Sequence, residues 1–348
     1  MVNSTEQQPK NVLEQDPSNP QEAILSTYEV ESISEVVHGD TRPRLIKFRG
    51  ERKMIQKKKY NKFLIFILLL FLGIIGFFLI LHRAPYAPDQ FYVIVLIFVL
   101  FMGRIKSFIR DWTPPIILIL VYEYLRGLIP RLNIPVHFYP MIQFDKFIFG
   151  QLPTVYLQKW LFSIVHLHWY DYLSAFFYSS HFVIPLFIAF IFWINNRKKF
   201  ESYIFGMVGL SYISFLTYFV FPAAPPWLAA QNGLIPPIQH ITDIVFGHFF
   251  TSISLPTLYR HIGANLVAAV PSLHVAYAFF TALFIGKKFS KLIPVLVLYV
   301  FGVSFATVYM GEHYFFDVVL GAVYAFVVYF CIQNWDLIKK RLSFKTNI

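Results

Sequence analysis

The chain has 348 residues, 57% of them hydrophobic, 19% aromatic and only 14% charged, which excludes an ordinary soluble globular protein. Its formal net charge of +11 does not indicate a nucleic-acid partner, because the basic residues gather at the edges of apolar runs, where they orient membrane proteins.

Residues 1–41 are polar, rich in Glu, Gln, Ser and Asn, and read as disordered. A basic stretch follows, from Arg42 through Lys57-Lys58-Lys59 to Lys62, and reads as a positive-inside anchor against an anionic leaflet. The first apolar run starts only near Phe63, so no cleavable signal peptide is expected. Apolar runs then predict spans at 63–82, 89–108, 112–130, 169–194, 202–222, 268–286, 292–310 and 316–335. The expected fold class is therefore all-α, a polytopic membrane helix bundle of about eight transmembrane helices.

Basic residues follow the even-numbered spans: Arg104, Lys106 and Arg110 after the second, and Arg197-Lys198-Lys199 after the fourth. Lys287, Lys288 and Lys291 follow the sixth, and Lys339-Lys340-Arg341 the eighth. If every span crosses, these loops share a side with the basic N-terminus, so both termini are expected to be cytoplasmic. The segments 131–168 and 223–267, with the turn at Gly311, then fall on the other side. The first of them mixes Phe144-Asp145-Lys146-Phe147 with Trp160, His166, His168 and Trp169, which suits a helix lying in the interface. The second opens on Phe221-Pro222-Ala223-Ala224-Pro225-Pro226-Trp227, a rigid, non-helical exit from a span. The only cysteine, Cys331, lies in the last span, so no intrachain disulfide or cysteine metal site is expected.

The chemistry-bearing residues stand at the non-cytoplasmic ends of two spans. Pro271-Ser272-Leu273-His274 opens the sixth, and Gly311-Glu312-His313-Tyr314-Phe315-Phe316-Asp317 opens the eighth. His313 and Asp317 are four apart, which on a helix puts them on one face. The carboxylate can then hold one ring nitrogen and leave the other free to attack phosphorus, with His274 as general acid to the leaving oxygen. Pro271 suits a first helical turn, and the two helix N-termini would offer free amides to a phosphate.

At these residues the chain resembles the type 2 phosphatidic acid phosphatase superfamily. The resemblance implies a six-helix core, metal-independent and cofactor-free catalysis, His313 as the nucleophile that forms a phosphohistidine, Asp317 as its orienting group and His274 as leaving-group acid. The block Phe305–Asp317, with Phe221–Trp227, is similar to the inositol phosphorylceramide synthase branch. In the phosphatase form of the third motif, Ser-Arg stands six to seven positions before the histidine; here Ala306 and Thr307 occupy those places. The phosphatase first motif, a lysine followed at a distance by Arg-Pro, has no convincing counterpart. Other cations must then meet the phosphate, with Arg126 the first candidate and Arg260 the second. For Arg126 a structural pair with Glu123, one turn earlier, is an equal alternative. Ser272 and Trp227 complete the candidate substrate-binding set. His181, inside the fourth span, reads as an interhelical hydrogen-bonding residue.

The implied organisation is a disordered, basic cytoplasmic tail (1–62), additional N-terminal spans (63–110), a phosphatidic acid phosphatase type 2-like catalytic membrane domain (111–335) and a basic cytoplasmic tail (336–348). The expected function is transfer of phosphoinositol from a phospholipid donor such as phosphatidylinositol to a lipid alcohol such as ceramide. A lipid phosphate phosphatase remains the alternative, since both use the same residues. A proton-relaying transporter would need polar residues near mid-span. A magnesium-dependent headgroup transferase would need clustered carboxylates, whereas the outer side has only scattered acids such as Asp89, Asp145, Asp243 and Glu312. An inactive scaffold would not need all three catalytic elements.

Overall fold

The computed structural model describes residues 104–249 and 265–335. The N-terminal tail, the expected span 63–82, most of 89–108, Arg260 and the C-terminal tail lie outside the described residues. Within them the regular elements are all helices, with isolated bridges joining His137, Ala223 and Ala268 in the connecting segments.

Six helices form the bundle among the described residues: α1 Ile105–Leu128, α4 Trp169–Asn195, α5 Arg197–Val220, α8 Leu273–Gly286, α9 Ile293–Tyr309 and α10 Phe315–Gln333. α4, α5, α9 with its 3-10 lead-in Ser290–Leu292, and α10 are long and apolar enough to cross a membrane; α8 is apolar but has only 14 residues. This is an integral membrane protein. Four short helices among the described residues pack at the site end: α2 Tyr139–Phe149, α3 Pro153–Leu161, α6 Pro226–Gln231 and α7 Ile241–Phe249.

Several boundaries differ from expectation. α1 begins at Ile105 and runs through Pro114 and Pro115, so Lys106 and Arg110 lie in its first turns rather than in a loop. α4 and α5 are separated by Asn196 alone, and Arg197-Lys198-Lys199 form the start of α5. The single residue suffices because Asn196 has extended backbone and its side chain accepts from Lys199 N (3.1 Å), which ends one helix and caps the next. Asp111 ties this end of the bundle together, accepting from Trp193 Nε1 (3.0 Å) and pairing with Arg197 (2.9 Å). Above it pack Trp112, Phe190, Trp193, Phe200, Tyr203 and Phe280, an aromatic core between helices.

α8 is central, touching α4, α5, α9 and α10. Its apolar composition all round fits burial by neighbours on every side. Hydroxyl groups cross between helices where lipid offers no partner: Tyr203 OH to Thr281 (2.6 Å), Tyr277 OH to Ser211 (2.5 Å) and Tyr324 OH to Thr217 (2.7 Å). α8 starts at Leu273, five residues later than expected for 268–286, because 268–272 are not helical. The Val270–Pro271 peptide is cis, Ser272 is the N-cap, and Pro271 therefore precedes the helix rather than opening it. Tyr218 OH donates to Pro271 O (2.8 Å) and fixes that approach.

Ala223 sits between two extended neighbours, donating to Val267 O (2.8 Å) and accepting from Ala269 N (3.1 Å). His137 completes the arrangement through His137 N to Pro222 O (2.8 Å) and Ala224 N to His137 O (3.0 Å). The exit after α5 is non-helical only as far as Pro225; Pro226 and Trp227 open α6.

Candidate active site

α8 and α10 meet at their N-terminal ends. Ser272 N donates to Asp317 O (3.0 Å), and Gly321 permits the crossing: a Cβ there would lie 2.4 Å from Ser272 O. No side chain fits so close to a carbonyl, so glycine is needed for this packing distance. Ser272 itself is fully buried and accepts from Val275 N (3.5 Å), giving it a capping role at the start of α8.

This crossing brings the two histidines together. His313 Nδ1 lies 3.2 Å from Asp317 Oδ2, and His313 Nε2 lies 3.0 Å from His274 Nδ1. With Nδ1–H donating to the carboxylate, Nε2 of a neutral His313 carries the lone pair and His274 Nδ1–H is the donor to it. His313 is only 4% exposed and Asp317 is fully buried. The contact was expected from helical spacing, but its geometry has another origin. His313 precedes α10, in a turn at Gly311 (φ 86°), and Asp317 reaches back from the third helical position to accept also from Tyr314 N (2.9 Å).

The turn carrying His313 is fastened from several directions. Thr307 O accepts from both Glu312 N (3.0 Å) and His313 N (3.1 Å), while Thr307 Oγ1 donates back to Ser304 O (2.9 Å). Gln158 on α3 donates to Tyr309 O and Gln239 O (both 2.9 Å), and Trp227 N donates to Gly311 O (3.1 Å). Tyr309 OH donates to Asp171 on α4 (2.5 Å). From α2, Asp145 accepts from Phe315 N (2.9 Å) and Phe316 N (3.0 Å). Burial pushes its carboxyl up to about 6 against the effect of those two amides, with the nearby Asp317 charge adding to the rise. The first amides of α10 are thus occupied by a carboxylate, so the expectation that both helix ends offer free amides to phosphate fails for this one.

Around this pair, His181 and Tyr178 on α4 pack on His274, with ring centroids 4.0 and 4.5 Å away. His181 Nδ1 contacts Tyr178 O of its own helix, so its hydrogen bond is not the interhelical one expected, and its ring is part of the site. Arg126 pairs with Glu123 at 2.7 Å, the structural alternative. Trp227 stacks on His240 at 4.7 Å. His240 contacts Asp243 (3.0 Å) and Glu312 (2.8 Å). Burial alone would depress its imidazole, but those two carboxylates raise it to about 9 and keep it charged at neutral pH. Arg260 lies outside the described residues. Among the described residues, no group of three or more His, Cys, Asp and Glu side chains is arranged to hold a metal ion.

Asp145, Gln158, His181 and His240 are the residues whose place the sequence did not disclose. For Asp145 the available signal was an acid one turn from Met141 and Ile142 on the buried face of an amphipathic segment.

A family model described as the PAP2 superfamily matches residues 142–331. The chain is 28% identical over 210 residues to a phosphoinositol dihydroceramide synthase of Bacteroides thetaiotaomicron, covering 58% of this chain and 68% of that protein. It is 32% identical over 114 residues to the inositol phosphorylceramide synthase catalytic subunit AUR1 of Saccharomyces cerevisiae, covering 32% of this chain and 28% of the yeast one. The corresponding subunit of Schizosaccharomyces pombe is 28% identical over 206 residues, covering 56% of this chain and 46% of that protein. The chain therefore spans about two thirds of the bacterial relative and less than half of either fungal one. No solved structure matches it. The match covers more than half of the chain, which belongs to the PAP2 superfamily.

Proposed function

We propose that this PAP2 superfamily member is a membrane lipid phosphotransferase that works through a phosphohistidine, carrying phosphoinositol from phosphatidylinositol to ceramide or a related lipid alcohol. The observation that carries the mechanism is the hydrogen-bonded series His274–His313–Asp317, with donor–acceptor distances of 3.0 and 3.2 Å. His313 Nε2 attacks phosphorus, the bond from phosphorus to the glyceride oxygen breaks, and protonated His274 gives its proton to that oxygen. Diacylglycerol leaves. The acceptor hydroxyl then gives its proton to His274 and attacks the phosphohistidine, which releases His313 and forms the new phosphodiester. Asp317 holds the Nδ1 proton and stabilises the imidazolium character that develops in both steps.

The names of the similar proteins support phosphoinositol as the transferred group and ceramide-type acceptors. Thr307 in the arginine position supports transfer over hydrolysis: its buried hydroxyl is turned back on Ser304, so that position brings no charge to the phosphate. Arg126 is the cation we assign to the phosphate, and Trp227 forms an apolar wall beside the turn, which disfavours water as acceptor. The site faces the non-cytoplasmic side, with both termini cytoplasmic. In this reading the catalytic domain runs from α1 to α10, so that it begins near Ile105 rather than at 111.

The test is product analysis with purified protein, phosphatidylinositol labelled in the headgroup and a panel of lipid alcohols, with and without chelator. Labelled phosphoinositol on the acceptor lipid is the expected product, unaffected by chelator. Released headgroup phosphate as the dominant product across the whole panel overturns the transferase reading in favour of a phosphatase.

A further inference from the structure

We propose that Asp145 is a positioning residue for catalysis: by capping α10 from a separate helix, it leaves Asp317 free to hold His313. The proposal rests on the phosphohistidine reading above. The first turn of any α-helix presents amides with no partner inside the helix, and an acidic residue at its third position is the nearest group able to satisfy them. In α10 that residue is Asp317, which must also hold the His313 ring. One oxygen, Asp317 Oδ2, serves both Tyr314 N (2.9 Å) and His313 Nδ1 (3.2 Å); the other, Oδ1, is buried and has no hydrogen-bond partner among the described residues.

Two further amides, of Phe315 and Phe316, would compete for that carboxylate. Asp145 takes both, one with each oxygen, at 2.9 and 3.0 Å across 170 and 171 residues of sequence. It is fully buried. Its helix is locked to the same turn by two edge-to-face ring pairs, Phe144 on Phe316 and Phe149 on Phe315, each with centroids 5.0 Å apart. Met141 and Ile142 bury the same face of α2, while Phe147 on the outer face is 85% exposed. A carboxylate so placed complements the positive end of α10. Removing one of its oxygens as an acceptor frees an amide to draw Asp317 away from the imidazole.

The experiment measures single-turnover phosphorylation of the enzyme and steady-state kcat and KM for the donor, using purified full-length protein. The variants are D145N, D145A, D317N, D145N/D317N and H313A. Asp145→Asn is expected to lower kcat and the phosphorylation rate by at least about tenfold, with donor KM within about twofold and the protein still folded at the assay temperature. Asp145→Ala is expected to cost more. In the D317N background, Asp145→Asn is expected to cost less than about twofold, because the group it sets free is already disabled. Wild-type kcat in D145N, an equal loss in both backgrounds, or a loss that tracks the amount of folded protein each overturns the positioning role. If Asp145→Ala does not fold, the isosteric D145N still decides the matter. Normal turnover by H313A instead sinks the phosphohistidine reading itself and is distinguishable from all of these.

Discussion

His274 Nδ1 and His313 Nε2 stand 3.0 Å apart although 39 residues separate them in the chain. The group we assign as acid and the atom we assign as nucleophile therefore share a hydrogen bond before any lipid arrives. A phosphoryl group entering the site must take His313's lone pair, which frees the His274 proton for the leaving oxygen. The contact depends on the close crossing of α8 and α10 rather than on either motif alone.

His313→Ala is expected to abolish both covalent phosphorylation and turnover. Asp317→Asn and His274→Ala should each reduce turnover of the native donor by about 10²-fold or more. An activated aryl phosphate, if it is accepted, should restore much of the His274→Ala rate, because its leaving group needs no proton. Rates from acid-quench assays on the two donors test this, and undiminished turnover by the His313 variant would reject the nucleophile assignment.

Gly321→Ala places a methyl group 2.4 Å from Ser272 O, a backbone atom that cannot rotate aside. Overpacking of this kind costs about 1–3 kcal/mol. The same shift lengthens the His274–His313 contact, so activity should fall further than stability does. Thermal midpoint and turnover measured on one preparation check this; wild-type values for both contradict so close a crossing of α8 and α10.

His240 gives a pH prediction. Its folded-state value, about 9, is raised above the ordinary imidazole value of 6.5 by Asp243 and Glu312. The stabilisation is therefore complete below about pH 6.5 and is lost as pH rises through about 9. Because Glu312 adjoins His313, the protection of residues 310–313, corrected for the intrinsic rise of amide exchange with pH, should fall between about pH 6.5 and about pH 9. A His240→Gln variant should lack that transition, and its persistence in the variant would assign it to another group.

Arg126 and Glu123 are separable by their partners. If Arg126 meets the phosphate, Arg126→Gln should lower kcat/KM by about tenfold or more, while Glu123→Gln, which keeps the cation, should cost less than about twofold. Equal losses in the two variants, with matching losses of stability, would make the 2.7 Å pair purely structural.

Sidedness is tested by cysteine labelling in a background with Cys331 replaced. Asn232 lies just beyond α6 at the site end, and Lys198 at the α4–α5 junction; both are exposed. Cysteines there should react with an impermeant reagent from opposite sides of sealed vesicles, with Asn232→Cys on the non-cytoplasmic side. Labelling from one side only for both removes the proposed topology.

The sequence by itself disclosed what depends on neighbouring residues or on solvent. Apolar runs marked α4, α5, α9 and α10, because a helix in lipid must be apolar over a fixed length. The residues His274, His313 and Asp317 stood out as short patterns, and the Arg126–Glu123 pair followed from a spacing of three. Tertiary structure decided the rest. Asp145 caps a helix 170 residues away, Gln158 holds a carbonyl 151 residues away, and His181 packs on His274 from another span. None of these partners has a local signature, because a hydrogen bond constrains distance in space and leaves separation along the chain free. His313 shows the difference most plainly: its spacing from Asp317 suggested a shared helical face, yet the contact is made by a turn and a back-reaching cap. The start of α10 was legible to within one residue, but the carboxylates that hold its first amides were not, because one of them comes from α2.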